Sequence, residues 1–330
     1  MQAVLVKQPG DSSQLTFGQV GKPEPKPAEI LVKIKAIGVN RMDIVQREGR
    51  YPVPAGASQI LGVEMSGVVE SVGTDVTSFR VGDHVFGLMY GGAYAEFAVI
   101  DARMAMHIPE GITFEVAAAI PEACITAWQA VKHISKLQKG QDILIHAGAS
   151  GVSTAAIQIA CLVGARRIFT TAGSDKKLEH CRSLGATHTI NYKEADFAEV
   201  IKRETDGRGV DVLVDYIGAS YWQRNLDSLA LDGHMVLLGF LSGVQLEKAN
   251  IGPILFKRLT IQGSTLRSRS VEYQQHLAEA VEKHVMPKIV SGDFKVVVDK
   301  VFSWKQVAEA HRYMEGNHNM GKVVLTIGDE

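Results

Sequence analysis

The pattern of apolar and polar positions divides the chain into three parts. Residues 1–121 carry short alternating runs separated by Gly- and Pro-containing turns, which is typical of β-strands. From about Gly140, apolar runs of strand length alternate with helical periods, and this order predicts a parallel, doubly wound α/β sheet. The tail from residue 267 does not continue the alternation. The strand-like runs of the first part are Ile30–Ile37, Val63–Val72 and Tyr94–Ile100.

The alternation and the tail predict specific elements. In the α/β part the strands are Asp142–Ala147, Arg167–Thr171, Thr187–Asn191, Val210–Tyr216, Met235–Leu238 and Leu259–Gly263. The helices are Val152–Val163, Asp175–Leu184 with Ser174 as N-cap and Gly185 after its end, Ala195–Thr205 and Trp222–Leu231. In the tail we predict helices over Val271–Ile289 and Trp304–Glu315 and strands over Phe294–Val298 and Lys322–Ile327.

These parts predict two domains. Residues 122–266 form an inserted dinucleotide-binding domain, while residues 1–121 and 267–330 together form a mostly-β catalytic domain. The expected active site lies in the cleft between them.

The segment Asp142–Gln158 carries the main chemical signal. A buried apolar strand runs through a turn of small residues into an Ala- and Ile-rich helix, an arrangement that suits a dinucleotide pyrophosphate. In a G-x-G-x-x-G frame, Gly148 holds the first place, but Ser150 and Ser153 hold the second and third. An ordinary strand-to-helix turn explains the segment equally well.

The end of the second α/β strand indicates the cofactor. NAD sites usually carry an acidic residue about 20 residues beyond the glycine turn. Here the strand end is Thr170–Ser174, without an acid, and Ser174 and Lys177 follow. A hydroxyl and an ammonium in an acid-free pocket suit a 2′-phosphate, so we predict NADPH rather than NADH. Lys177 considered alone is better explained as a solvated helix residue.

Composition adds only limits. Of the 330 residues, 46% are hydrophobic and 22% charged, with a net charge of −1, so the totals predict no basic face for nucleic acid. The N-terminus does not resemble a secretory signal, and no apolar run is long enough for a membrane span. Three cysteines without metal spacing indicate free thiols in a reducing compartment, and Cys161 is expected in a buried helix.

Motifs along nearly the whole chain resemble one enzyme family. The chain is similar to the zinc-independent quinone oxidoreductases of the medium-chain dehydrogenase/reductase superfamily, and most similar to the tumour-suppressor-inducible NADPH quinone oxidoreductase branch. The resemblance implies a Rossmann domain inserted into a GroES-like domain. The motifs are Ala36–Asp43, Pro54–Gly67, Val81–Asp83, Ile108–Trp128, His146–Val152, Ala172–Lys177, Asn191–Tyr192, Ser220–Trp222, Leu229–Gly233, Phe256–Arg258 and Leu266–Arg269.

The resemblance implies the absence of a metal site. Zinc-dependent members place their ligands at positions that correspond here to Asn40, Val63 and about Glu122. Zinc prefers three or four Cys, His or carboxylate ligands, and only one such residue remains. We therefore predict no metal, and we expect Glu64 to be structural.

The resemblance also implies site residues. Asn40 is expected at the nicotinamide, and Tyr51 beside the acceptor; an αL strand-end role for Asn40 and a packing role for Tyr51 stay open. Asp43 is an acid/base candidate for which ion pairing or helix capping stays the alternative. Relatives carry a Tyr where this chain has Val45, so a proton donor at that position is in doubt. Cofactor contacts are expected from Asn40, Thr126, Gly148, Ser150, Gly151, Val152, Gly173, Ser174, Lys177, Tyr192, Ile217, Gly218, Phe240, Leu241 and Leu266; for Ile217 and Leu266 a core role is an alternative.

The implied function is NADPH-dependent hydride transfer to ortho-quinones or related conjugated carbonyls. An enoyl or alkenal double-bond reductase and a non-catalytic NADPH-binding protein are the alternatives. We further expect a cytoplasmic homodimer that pairs through the exposed edge of the last α/β strand. Ser153 is expected to shift its helix slightly, so that Ser153→Gly changes NADPH affinity less than about tenfold.

Overall fold

The computed structural model describes residues 1–328 and divides into two compact units. Unit 1 comprises Met1–Ile125 and the chain from Leu266 onward, and unit 2 comprises Thr126–Thr265. The sequence prediction placed the borders after residues 121 and 266, and residues 329–330 of its last range lie outside the described part.

Strands and helices are numbered in chain order. The strands are β1 Gln2–Val6, β2 Leu15–Gln19, β3 Glu29–Val39, β4 Glu64–Val72, β5 His84–Leu88, β6 Phe97–Asp101, β7 Ala105–His107, β8 Asp142–Ile145, β9 Arg167–Ala172, β10 His188–Asn191, β11 Val210–Asp215, β12 Leu229–Leu237, β13 Thr260–Gly263, β14 Val298–Ser303 and β15 Lys322–Thr326. The α-helices are α1 Arg41–Arg47, α2 Phe114–Ala118, α3 Pro121–Trp128, α4 Gly151–Val163, α5 Asp175–Ser183, α6 Phe197–Glu204, α7 Trp222–Ser228, α8 Gly252–Phe256, α9 Val271–His284, α10 Met286–Val290 and α11 Val307–Glu315. A π-helix, Gln129–Ile134, continues α3.

Unit 2 is built on a six-stranded parallel sheet in the order β10-β9-β8-β11-β12-β13. One row of fully buried side chains crosses four of its strands, through Phe169, Leu144, Leu213 and Met235. The order reverses at β8, which is where a doubly wound sheet opens a crevice for a ligand. The predicted fold class is confirmed.

Unit 1 holds a mostly antiparallel sheet in the order β14-β15-β3-β4-β5-β7, with β6 also paired to β3 and a separate β1–β2 pair. The pairing of the long strand β3 with β4 contains two register shifts. The C-terminal strand β15 lies beside β3, with Val323 opposite Val39. The start of β15 therefore lies beside the residues that follow β3.

The tail departs from its predicted elements in two places. The predicted helix 271–289 ends at His284 and resumes at Met286, because Pro287 has no N–H with which to continue the ladder. The predicted strand 294–298 is wrong: the strand runs from Val298 to Ser303, since its pairing with β15 begins at Val298. The predicted helix 304–315 starts as a 3₁₀ turn, and its α-helix begins at Val307.

Two further expectations for unit 2 need correction. The helix predicted over 222–231 ends at Ser228, because Leu229 is buried and pairs with Val210 as the start of β12. Cys161 lies in α4 as predicted, but it is exposed. The buried face of α4 extends from Ser153 to Ala160, and its last turn leaves the core.

Helices α1, α2 and α8 and the π-helix were not predicted. None of the helices within residues 1–328 combines the length and the apolar character that crossing a membrane requires.

Candidate active site

The turn after β8 is shaped by one glycine. A Cβ added to Gly148 would overlap Thr170 Oγ1 and lie 2.9 Å from Cys181 Sγ, so only glycine lets the turn lie this close to β9 and α5. The preceding residue, Ala147, adopts a left-handed conformation with φ 49°, which is uncommon outside glycine. The backbone is therefore held tightly at the start of α4.

The first turn of α4 presents backbone donors. Ser150 is the N-cap, and its hydroxyl accepts a bond from the Ser153 N–H. The N–H groups at the start of a helix have no partner within it, and this holds for those of Gly151 and Val152 in the first turn of α4. The predicted residues Gly148, Ser150, Gly151 and Val152 thus share one turn and helix start, an arrangement of the kind that suits an anion.

Ser153 is accommodated without loss of polar pairing. Its side chain is fully buried, and its hydroxyl donates to the carbonyl of His146 and accepts from Ser150 Oγ, both at 2.9 Å. The hydroxyl therefore ties the helix start back to the strand end, a contact that glycine cannot make. The predicted tolerance of Ser153→Gly stays a prediction.

His146, which the sequence analysis did not single out, stabilises the turn through contacts of its buried side chain. Its ring is fully buried, 2.9 Å from Thr171 Oγ1 and 2.8 Å from Asn225 Oδ1, and it packs edge-on against Phe197 and Tyr221. Burial lowers the pKa of His146 to about 4, so the ring is neutral at neutral pH. His146 thereby links the ends of β8 and β9 to α7.

The end of β9 forms a second cradle. A Cβ on Gly173 would lie 2.6 Å from the Tyr192 hydroxyl and 3.2 Å from Lys193 Cε, so both side chains close over this glycine. Ser174 is exposed, its hydroxyl makes no capping bond to α5, and Lys177 lies one turn on. This arrangement of hydroxyls and lysines fits a phosphate, and Lys193 is a member that the sequence analysis missed.

The loops after β11 and β12 are bonded to each other. The buried Asp215 carboxylate accepts N–H bonds from Ile217 and Gly218 at 2.7 and 3.1 Å, and burial raises its pKa to about 6. The Leu241 N–H donates to the Tyr216 carbonyl at 3.0 Å. Of the predicted contacts, Ile217, Gly218, Phe240 and Leu241 therefore share one loop pair in unit 2. Thr126 lies in α3, and Leu266 is buried in unit 1.

In unit 1, Asn40 lies in a buried charged group. Its side-chain amide donates to Glu64 Oε1 at 2.8 Å, and its carbonyl oxygen accepts from Lys322 Nζ at 2.6 Å. Lys322 and Glu64 form an ion pair of 2.5 Å, with exposed fractions of 5% and 0%. The sequence analysis missed Lys322, because it lies 282 residues from Asn40.

Asp43 is fully buried at the start of α1. Its carboxylate accepts N–H bonds from Asn40 at 2.8 Å and Gly62 at 3.2 Å and a bond from the Tyr94 hydroxyl at 3.2 Å. Burial raises the pKa of Asp43 to about 6. The arrangement favours the capping alternative, while an acid/base role stays a prediction.

Tyr51 lies beside a buried arginine. The Arg267 guanidinium, centred 5.5 Å from the Tyr51 ring, donates to the Tyr90 carbonyl at 2.7 Å and to Gln46 Oε1 at 2.6 Å, and its Nη2 has no hydrogen-bond partner. Only 3% of Arg267 is exposed. Burial raises the pKa of Tyr51, so the phenol stays protonated at neutral pH.

The three positions that correspond to zinc ligands hold Asn40, Val63 and Glu122. No group of three or more His, Cys, Asp or Glu side chains within the described residues is arranged to hold a metal ion. The metal-free site stays a prediction.

Comparisons with known proteins identify the family of the chain. Residues 26–110 match the family model of the alcohol dehydrogenase GroES-like domain, and residues 151–283 match that of the zinc-binding dehydrogenases. A quinone oxidoreductase of Pseudomonas aeruginosa is 33% identical over 96% of each chain. The Mycobacterium tuberculosis mycocerosic acid synthase-like polyketide synthase is 32% identical over 98% of this chain, which spans only 15% of its length.

Solved structures are similar over almost the whole chain. The Escherichia coli quinone oxidoreductase complexed with NADPH has a TM-score of 0.89 and 30% identity, covering 99% of this chain and 100% of that one. The CurK enoyl reductase has a TM-score of 0.86 and 28% identity, covering 99% of each chain.

Proposed function

The chain belongs to the medium-chain dehydrogenase/reductase superfamily, among its quinone oxidoreductases, and we propose from this premise that it is a zinc-independent NADPH:quinone reductase. Its acceptors are ortho-quinones or related conjugated carbonyls. We choose NADPH over NADH because of the cradle at the end of β9. It contains no acidic residue, and Tyr192 and Lys193 close over Gly173 there.

The residues of unit 2 fit the cofactor. The N–H groups of Gly151 and Val152 bind the pyrophosphate, and Ser174, Lys177, Tyr192 and Lys193 bind the 2′-phosphate. Bound NADPH supplies a hydride from C4 of its nicotinamide. Asn40 meets the nicotinamide end, as a hydrogen-bond acceptor.

Arg267 and Tyr51 receive the acceptor in unit 1. Hydride addition turns a quinone into a hydroquinone anion, and the positive charge of the buried guanidinium stabilises that oxyanion. Arginine keeps its charge at any pH that the protein meets. The protonated Tyr51 hydroxyl donates a second bond, and the proton that completes the hydroquinone comes from solvent.

The test of this function is the initial rate of NADPH oxidation with an ortho-quinone, an enal and an enoyl thioester at matched concentrations. We expect turnover with the quinone to exceed the other two rates. Preference for the enal or thioester would instead support the double-bond reductase, the alternative favoured by the similarity to CurK. NADPH binding without turnover of any acceptor would support a non-catalytic protein.

Lys177→Ala is expected to raise the KM for NADPH about 20-fold, because it removes a charge-assisted bond to the 2′-phosphate. The KM for NADH, which lacks that phosphate, should change little. Steady-state kinetics with both cofactors measure the ratio, and Lys176→Ala, an exposed neighbour, is the matched control. An equal loss for both cofactors would rule out the 2′-phosphate role.

We also propose a homodimer that forms through the β13 edge. Among the described residues, strand β13 lies at the edge of its sheet and pairs only with β12. Beside it Ile251, Leu255 and Phe256 are 68%, 75% and 79% exposed. An open edge with large apolar side chains beside it favours burial against a second copy.

The doubly substituted variant Leu255→Asp/Phe256→Asp is expected to sediment as a single chain at micromolar concentration, whereas the native protein sediments at twice the chain mass. Charged side chains cannot be buried unpaired in such an interface. The control Val290→Asp changes an exposed apolar residue of unit 1 and should leave the mass unchanged. A native protein that sediments as one chain would contradict the dimer.

A further inference from the structure

Asn40, Glu64 and Lys322 form a closed hydrogen-bond group. The three donors of the Lys322 ammonium go to Asn40 Oδ1, Glu64 Oε1 and the Val39 carbonyl, at 2.6, 2.5 and 3.1 Å. The two amide hydrogens of Asn40 go to Glu64 Oε1 and the Gly38 carbonyl, at 2.8 and 3.3 Å. Glu64 Oε2 accepts the backbone N–H of Glu122 at 2.8 Å.

This group determines which way the Asn40 amide faces. An ammonium only donates hydrogen bonds and a carboxylate only accepts them, so Oδ1 must face Lys322 and Nδ2 must face Glu64. Both hydrogens of Nδ2 are used. A bond from this amide to a ligand can therefore be made only through Oδ1 as acceptor; Oδ1 also faces the Asp43 N–H in the capping box of α1, and Asn40 is 8% exposed.

The surrounding backbone is fitted to the pair. A Cβ on Gly38 would overlap Glu64 Oε1 and lie 2.6 Å from the Ala118 carbonyl, so β3 can approach the carboxylate only through glycine. Lys322 is the first residue of β15, whose pairing with β3 sets Val323 opposite Val39. Strands β3, β4 and β15 and helix α3 thus hold the ion pair against the Asn40 side chain.

We infer that Lys322 is a positioning residue: its buried ion pair with Glu64 locks the Asn40 amide with Oδ1 as the sole atom available to a ligand. Asn40 then acts as a hydrogen-bond acceptor, for instance for the carboxamide N–H of a nicotinamide. Without the pair the amide can rotate by 180° and present its donor instead. The inference rests on the proposed function, in which Asn40 meets the nicotinamide.

A double-mutant cycle tests it. The first change is Lys322→Met with Glu64→Gln, which removes both charges together and leaves no unpaired buried ion. The second change is Asn40→Ala. Native protein, each variant and the combination are compared by kcat and KM with an ortho-quinone, by the Kd for NADPH from fluorescence titration, and by Tm.

If Lys322 acts through Asn40, the neutral pair lowers kcat about 30-fold in the native background and less than about twofold in the Asn40→Ala background. The Kd for NADPH should rise about fivefold in the native background only, while Tm falls in both. Equal factors in the two backgrounds, no effect in the native background, or an Asn40→Ala variant with native kcat and Kd would each overturn the inference.

Two further variants complete the test, one as a control and one as a replacement if the neutral pair does not fold. Lys22→Met with Glu70→Gln is the control, because it removes both charges of a half-exposed ion pair whose Glu70 lies further along β4. This variant should leave kcat and Kd unchanged. If the neutral pair does not fold, Lys322→Arg keeps the charge but alters its geometry; it should lower kcat about fivefold, again only where Asn40 is present. A native protein without quinone turnover would refute the proposed function, and the Kd cycle would still decide this inference.

Discussion

Gly148→Ala is expected to weaken NADPH binding about 100-fold, a larger effect than that expected for Lys177→Ala. The added methyl group would overlap Thr170 Oγ1 and press on Cys181 Sγ, so the turn must move away from β9. That movement displaces the N–H groups of Gly151 and Val152, which bind the pyrophosphate in the proposed function. Fluorescence titration with NADPH measures the loss, and Tm shows whether the variant is folded.

Two variants check the cause of this loss. Gly21→Ala is the control, because a Cβ there meets no atom within 4 Å, and its Kd should equal the native one. Adding Thr170→Ala to Gly148→Ala removes the overlapping oxygen and should recover part of the affinity. Native affinity in Gly148→Ala would show that the turn does not hold the cofactor.

Arg267→Met is expected to lower kcat/KM for an ortho-quinone about 100-fold, because it removes the charge that stabilises the hydroquinone anion. The Kd for NADPH should stay close to native, since the proposed cofactor contacts of unit 2 are unchanged. Arg267→Lys keeps the charge but loses the bonds to Tyr90 and Gln46, so an intermediate rate is expected.

The control for this prediction is Arg103→Met. Arg103 forms ion pairs with Asp101 and Glu272 at the surface of unit 1. The Arg103→Met variant should therefore leave turnover unchanged. Native kcat/KM in a folded Arg267→Met variant would exclude Arg267 from the acceptor site.

The α/β part of the fold was predictable because its signals are local. The apolar runs of β8, β9 and β11 and the small-residue turn before α4 lie within short windows, and the alternation of strands and helices implies a parallel sheet. Ser150 and Lys177 could be proposed for the same reason. The tail was less predictable, since the start of β14 depends on pairing with β15, a strand about 20 residues later.

The sequence by itself determined the doubly wound sheet, the turn at Gly148 and the acid-free strand end at Thr170–Ser174, because each depends on neighbouring residues. Only the tertiary structure decided the partners of Asn40, Asp43 and Tyr51. Lys322 reaches Asn40 through the pairing of β15 with β3, and Arg267 reaches Tyr51 across 216 positions of the chain. A charge that is buried by long-range pairing leaves no periodic pattern in the sequence, so its role becomes visible only when the strands are placed together.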